Sequence, residues 1–295
     1  MNAERKKCRK DKRHGWYVQD QDSLHIIMPY VMPGRTRNEA VMSEEIDLTA
    51  LEEFIARKND GNPDFKYTWF HAICAAVAKV LILRPKMNYY ISGYRLYEHK
   101  DITLAFVVKR QFSDNGAEHL AKIKIDREGE SPFEQVYRQV REIVTCVRGT
   151  TKSEGITKKF DFYKSAPRFV LRCIVTILKI MDYFGDSPES IRKDDPCYSS
   201  VFLTNLGSIK MNADYHHLSE WGDNSLFVVV GEKKKRPVFK DDGSYTMRDS
   251  IKLSMTVDER IADGYYFSKS AKLLKHILLN PELLERPAEE LIEFE

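Results

Sequence analysis

Three carboxylates and an arginine lie close together near the C-terminus of this 295-residue chain: Asp258, Glu259, Arg260 and Asp263, followed by Gly264. A strand-like apolar run ends just before them, and a helix-like run follows. A glutamate side chain ordinarily has a pKa of about 4.3 and is a weak base at neutral pH, but burial in apolar surroundings can raise that pKa by several units. The segment is therefore a candidate for proton transfer by a carboxylate.

Two adjacent histidines, His216 and His217, are the other candidate bases. An imidazole has an ordinary pKa of about 6.5, which suits a general base at neutral pH. Adjacent histidines are more often exposed polar surface, and they lack the spacing of ligands on one helix face. The five cysteines are scattered, with no C-x-x-C pair. We therefore predict no metal site and no disulfide framework, which is typical of a reducing, cytoplasmic compartment.

The elements that must position these residues are short strands and helices in alternation. Apolar periodicity predicts helices over residues 68–83, 133–147, 169–184 and 268–279, and strands over residues 102–108, 120–125, 198–204, 225–231 and 251–257. A further helix follows Leu48, with Thr49 and Glu52 placed as a capping box. This order predicts an α/β fold, a mixed sheet covered by helices in an α+β sandwich.

Charge and composition restrict the domain organisation and the binding partners of the chain. The net charge of +3 does not indicate nucleic acid, although basic residues crowd positions 1–15 and predict a solvated N-terminal arm. Residues 16–295 are predicted to form a single domain, with residues 153–195 as an inserted helical segment. The apolar run 169–184 carries charges and is too short to span a membrane. It is either buried on most sides, at a subunit contact for example, or lies weakly on a membrane surface.

Four segments together resemble a known family. Residues 258–264 are similar to the D-H-R-x-x-D-G signature of the catalytic domain of 2-oxo acid dehydrogenase dihydrolipoamide acyltransferases, and chloramphenicol acetyltransferases carry a related motif. Residues 43–51 resemble the family's E-V-D-x-T-x-L entry, residues 85–102 its P-x-L-N stretch, and residues 202–207 its T-I-S-N-L-G. The similarity is closest to a bacterial branch without lipoyl modules.

The resemblance implies a chloramphenicol acetyltransferase-like fold and a homotrimer, or an assembly of trimers, with active sites between subunits. A small acyl donor, coenzyme A as its thioester, and a small acceptor would meet there, with neither a metal nor a covalent lipoyl group on this chain. Glu259 occupies the position of the catalytic histidine, and Thr204 that of the hydroxyl that stabilises the oxyanion. Asp263 completes the catalytic set as the aspartate that shapes the catalytic loop. The substrate-contacting or loop-shaping positions are Asn205, Gly207, Arg260 and Gly264.

Two functions follow from this assignment. The first is coenzyme-A-dependent acyl transfer to a thiol, hydroxyl or amine, with Glu259 as the base, or with His216 or His217 in its place. The alternative is a catalytically inactive trimeric scaffold of the same fold. In the family, Asp263 would pair with an arginine, and Gly264 would supply the tight turn into the last helix.

Overall fold

The computed structural model describes residues 7–109, 118–149, 166–185, 187–193 and 195–294. The first residues of the predicted arm and the first part of the predicted insertion lie outside these ranges. The strands are β1 Gly15–Tyr17, β2 Glu39–Asp47, β3 Tyr89–Ser92, β4 Arg95–His99, β5 Ile102–Lys109, β6 Glu118–Ile125, β7 Val201–Asn205, β8 Leu226–Val230, β9 Lys234–Phe239 and β10 Tyr245–Asp258. The α-helices are α1 Ser23–Val31, α2 Thr49–Lys58, α3 Trp69–Leu83, α4 Pro132–Gly149, α5 Arg168–Phe184, α6 Glu189–Arg192 and α7 Gly264–Leu279.

The strands form two sheets. The large sheet has the order β2-β10-β8-β7-β5-β6, and β9 pairs with β10 as a hairpin. Strand β7 runs parallel to both β5 and β8, and the other pairs in the sheet are antiparallel. A small antiparallel sheet has the order β1-β4-β3. This confirms the predicted mixed α/β architecture.

The main core lies between one face of the large sheet and helices α2, α3, α4 and α7. Helix α3 is buried almost all round, as its alanine-rich sequence predicts. Thr68 begins it with a capping box that uses His71. The predicted box at α2 is wrong, because the Asp47 carboxylate instead accepts the backbone N–H of Thr49 at 2.9 Å and its hydroxyl at 2.6 Å.

The opposite face of the sheet is covered by the segment that follows β7. Ala213 and Leu218 of this segment pack on Phe227 and Val229 of β8. The Ser254 hydroxyl of β10 donates to the Ala213 carbonyl at 2.8 Å and holds the segment against the sheet. Strand β8 therefore has both faces covered, which explains its continuous apolar sequence.

Helix α5 lies largely uncovered in the single chain. None of its residues is buried there, so the prediction of burial on most sides rests on a contact with another subunit. Phe169, Ile177, Ile180 and Phe184 are all more than half exposed. Within the described part of the chain, no helix combines the length and apolar character needed to cross a bilayer. The basic arm also differs from a freely solvated segment, because the Lys12 ammonium donates to the Asp182 carbonyl of α5 at 2.9 Å.

Candidate active site

The loop after β10 is organised by a buried ion cluster. Asp258 is fully buried and accepts hydrogen bonds from the Arg260 guanidinium at 2.8 and 2.7 Å. Its carboxylate also lies 3.8 Å from the Arg35 guanidinium. Arg260 in turn donates to the Met32 carbonyl at the end of α1, at 3.0 Å. These bonds fix the one-turn 3-10 helix that begins at Glu259.

Glu259 itself stands apart from this cluster. Its backbone N–H donates to the Asn38 carbonyl at 2.9 Å, which anchors the main chain. Its side chain is half-buried, and among the described residues it has neither a hydrogen bond nor an ion pair. The positions on either side of it therefore hold the loop, while the Glu259 carboxylate stays available to another molecule.

Asp263 and Gly264 have roles different from those expected. Asp263 is exposed and caps α7, because its carboxylate accepts the Tyr266 N–H at 2.8 Å. This hydrogen bond lowers the pKa of Asp263. The carboxylate that pairs with arginine is Asp258 instead. Gly264 lies outside the left-handed region, and a Cβ added to it would meet open space, so this turn does not require glycine.

Thr204, Asn205 and Gly207 form the second part of the predicted site. Thr204 lies on β7 beside Val229 of β8 and is half-buried. The Asn205 carboxamide accepts the Ser208 N–H at 3.2 Å and shapes the short 3-10 turn that follows. A Cβ on Gly207 would lie 2.5 Å from a backbone carbonyl oxygen of Gly231, so glycine is required at this close approach.

Strand register separates the two parts of the site. Thr204 is level with Val229 on β8, and Val229 is level with Ser254 on β10. Glu259 lies five residues beyond Ser254, which is about 16 Å along the strand at about 3.3 Å per residue, and β7 is two strands to the side. Thr204 and Glu259 therefore lie toward opposite ends of one sheet. They do not meet within one chain.

His216 and His217 lie on the segment that covers the sheet. The His216 ring stacks on Phe227, with centroids 3.9 Å apart and planes inclined by 7°. Nδ1 of His216 lies 2.9 Å from the His217 carbonyl, and Nδ1 of His217 lies 2.8 Å from the Leu218 carbonyl. A carbonyl only accepts, so both Nδ1 atoms carry the proton and both Nε2 atoms are free to accept one.

The histidine segment reaches toward the Glu259 end of the sheet. Glu39, which pairs with Asp258 across β2 and β10, accepts the Leu218 N–H at 2.5 Å. The Tyr215 hydroxyl also bonds to Glu39. The segment that carries the two histidines is thus tied to Glu39 at the Glu259 end of the sheet, and the His216 ring rests on β8, the strand next to Thr204.

A third group of residues, which no sequence pattern indicated, lies apart from the predicted site. His99 is buried, and its Nε2 lies 4.0 Å from the buried Asp223 carboxylate. The Arg192 guanidinium donates to the other oxygen of that carboxylate at 2.5 Å. No local pattern links these three residues, since they come from distant parts of the chain. Among the residues that the structure describes, no set of three His, Cys, Asp or Glu side chains could hold a metal ion.

Comparison with known proteins supports the predicted resemblance. Residues 189–285 match the family model of the 2-oxoacid dehydrogenases acyltransferase (catalytic domain). No curated protein matches the chain.

Several solved structures share the fold over nearly the whole chain. A probable dihydrolipoamide acetyltransferase from Listeria monocytogenes is 17% identical, with 91% of this chain and 95% of that chain covered and a TM-score of 0.57. The dihydrolipoamide acetyltransferase of Azotobacter vinelandii is 16% identical over 90% of this chain and 93% of that one, also at 0.57. A chloramphenicol acetyltransferase is 12% identical over 90% and 99%, at 0.52. The chain therefore has the chloramphenicol acetyltransferase-like fold, and its C-terminal third carries the acyltransferase pattern.

Proposed function

We propose that the protein transfers an acyl group from a coenzyme A thioester to a thiol, hydroxyl or amine, at a site formed between two copies of the chain in a homotrimer. One copy supplies Glu259 as the base, and the next supplies the Thr204 hydroxyl. The observation that carries the proposal is the Glu259 carboxylate, which has no partner among the described residues although both neighbouring side chains are tied into a buried ion cluster.

The positions of the two groups favour an intermolecular site. Because Thr204 and Glu259 lie toward opposite ends of the sheet, a head-to-tail contact between copies can bring the two together. A head-to-tail contact that closes on itself produces a ring, and a trimer is one such ring. The related cubic core of a pyruvate dehydrogenase multienzyme complex, at a TM-score of 0.53, shows that this fold can build large symmetric assemblies.

In this scheme each group has a defined role. Glu259 takes the proton from the acceptor as the acceptor attacks the thioester carbonyl carbon. The Thr204 O–H donates a hydrogen bond to the oxyanion of the tetrahedral intermediate. The intermediate then collapses, the C–S bond breaks, and the proton on Glu259 passes to the coenzyme A thiolate. The second copy would exclude water from the site. Exclusion of water raises the pKa of a carboxylate and makes it a stronger base, which suits a glutamate in place of an imidazole.

The test is release of free coenzyme A thiol from a panel of acyl-coenzyme A donors, each with thiol, hydroxyl and amine acceptors. We expect Glu259→Gln to slow turnover by about 10²- to 10⁴-fold, because it removes the base. Thr204→Val should slow it by about 10²- to 10³-fold, whereas Thr204→Ser, which keeps the donor, should stay near the wild-type rate. Glu259→His should retain or increase turnover.

Two controls make the test decisive. Lys235→Gln, on the exposed β9 hairpin, should leave the rate unchanged, and sedimentation should show each variant to be a trimer. Wild-type turnover by Glu259→Gln would overturn the assignment of the base. A folded, trimeric wild-type protein that turns over none of the donors would instead favour the scaffold function.

A further inference from the structure

A cavity of about 520 Å³ opens beside the start of β5, away from Thr204. It is bounded by His99 at the end of β4, by Thr103 of β5, by Lys122 of β6, by Arg192 of α6 and by Tyr198. Its volume falls within the range of about 300–1,000 Å³ that is common for small-molecule sites. Neither the family resemblance nor the proposed function assigns it a role.

One buried residue of the cavity wall, His99, and its buried neighbour Asp223 each have an unsatisfied polar atom. His99 is 7% exposed and Asp223 is 1% exposed. Nε2 of His99 and Oδ1 of Asp223 are 4.0 Å apart, which is too long for a hydrogen bond, and neither atom has a hydrogen-bond partner within the described ranges. Leaving a buried polar atom unpaired costs about 1–3 kcal/mol. The His99 ring lines the cavity, so a molecule bound there lies against this ring and changes its surroundings.

The charges around the cavity favour an anion. Four cationic side chains line it, namely Lys122, Lys124, Arg192 and Lys193, against the two acidic side chains Asp101 and Glu189. Both acids already have partners. Asp101 lies 2.9 Å from the Lys124 ammonium, and Glu189 lies 3.1 Å from the His14 ring.

Lys122 is the cation that most clearly lacks a counter-charge. Its ammonium donates to the Arg192 carbonyl at 3.0 Å and to the Tyr198 carbonyl. It has no acidic partner in an ion pair among the residues described, and burial lowers its pKa. The nearby Asp223 carboxylate is neutralised by Arg192. A half-buried cation without a paired anion is unfavourable, so an anionic group in the cavity would stabilise it.

We propose that this cavity binds a small molecule with an oxyanion group, a carboxylate or a phosphate, which pairs with Lys122 beside the His99 ring. The proposal stands without the acyltransferase function, since it uses neither Glu259 nor Thr204. A carboxylate and a phosphate present the same acceptor oxygens to Lys122, and the two differ in charge and in the number of oxygens.

The test uses the full chain in a buffer free of carboxylate and phosphate. Acetate, succinate and inorganic phosphate are titrated separately, with acetamide as the neutral control. NMR follows the His99 ring signals, assigned by their loss in His99→Gln. We expect a saturable shift of the His99 signals with at least one anion and no shift with acetamide. The anion that saturates at the lower concentration identifies the ligand as a carboxylate or a phosphate.

Variants provide the second readout. Calorimetric affinity for that anion should fall by at least about tenfold in Lys122→Gln, as expected for the loss of about 1.4 kcal/mol of binding free energy. It should be unchanged in Lys235→Gln, which removes an exposed cation far from the cavity. Absence of any saturable His99 shift in the wild-type protein would overturn the proposal without any variant. Equal affinity in Lys122→Gln and wild type would overturn it as well.

Discussion

Acid should destabilise this protein well above the pH at which most carboxylates titrate, because two histidines are buried as neutral rings. Burial lowers the pKa of both His71 and His99 to about 4 from the ordinary 6.5. Nδ1 of His71 also accepts the Thr68 N–H at 3.0 Å, which requires an unprotonated nitrogen. As the pH falls below about 6.5 the unfolded chain binds protons that the native chain excludes, so native stability falls until the pH reaches about 4.

The two pKa values fix the size of the effect. For each histidine, a pKa lowered from about 6.5 to about 4 reduces the free energy of unfolding by roughly 2 kcal/mol between about pH 7 and about pH 5. The two together should cost roughly 4 kcal/mol, which is a large part of a typical stability of about 5–15 kcal/mol. The sign is clear, since both folded pKa values lie below the unfolded one.

Urea unfolding at several pH values between about 7 and about 5 measures this loss, in buffers without carboxylate or phosphate. The variant His99→Gln should lose about 2 kcal/mol less than the wild type over that range, and His216→Gln, at an exposed ring, should behave like the wild type. A wild-type free energy of unfolding that is the same at both ends of the range would refute the reasoning. So would an equally steep loss in His99→Gln.

Two further predictions concern the buried ion cluster and the cysteines. Asp258→Asn leaves the buried Arg260 without its counter-charge, so urea unfolding should show that the free energy of unfolding falls by about 3–5 kcal/mol. The control Asp249→Asn, at an exposed ion pair, should lower it by less than about 1 kcal/mol. Equal losses in the two variants would contradict the burial argument. In the native protein a thiol reagent should modify the exposed Cys173 within minutes. It should modify Cys74 only on unfolding, because Cys74 is fully buried and burial raises its pKa. Peptide mapping distinguishes the two cysteines, and early labelling of Cys74 would contradict the packing of α3.

Local sequence patterns predicted the helices and strands in which the apolar residues recur at the period of the element and are buried. Helix α3 and strand β5 lie within one residue of their predicted limits, because each is buried and bounded by clear signals. Helix α7 begins four residues before the predicted start, where the Asp263 cap sets its first turn. Helix α1 was not predicted, because its apolar residues, including Ile26 and Val31, face outward and it contains a proline.

The candidate site was predictable only where it is local in sequence. Residues 258–264 form a motif that can be read directly, and the structure places them in the connection between β10 and α7. The separation of Thr204 from Glu259 depends on strand order and register, which no local pattern contains. The same reason explains why the proximity of His99 and Asp223 was missed, since the two residues approach each other only through the fold.

The arrangement around Glu259 argues against an accidental placement of this carboxylate. A buried pair such as Asp258 with Arg260 contributes little net stability, because desolvation offsets most of its Coulomb energy, and apolar residues could fill the same volume at no loss. The pair instead orients the loop, because its hydrogen bonds fix the backbone on both sides of Glu259 and tie the loop to the end of α1. A loop built only for packing would not need this order. A loop that must present one carboxylate to a neighbouring molecule does need it.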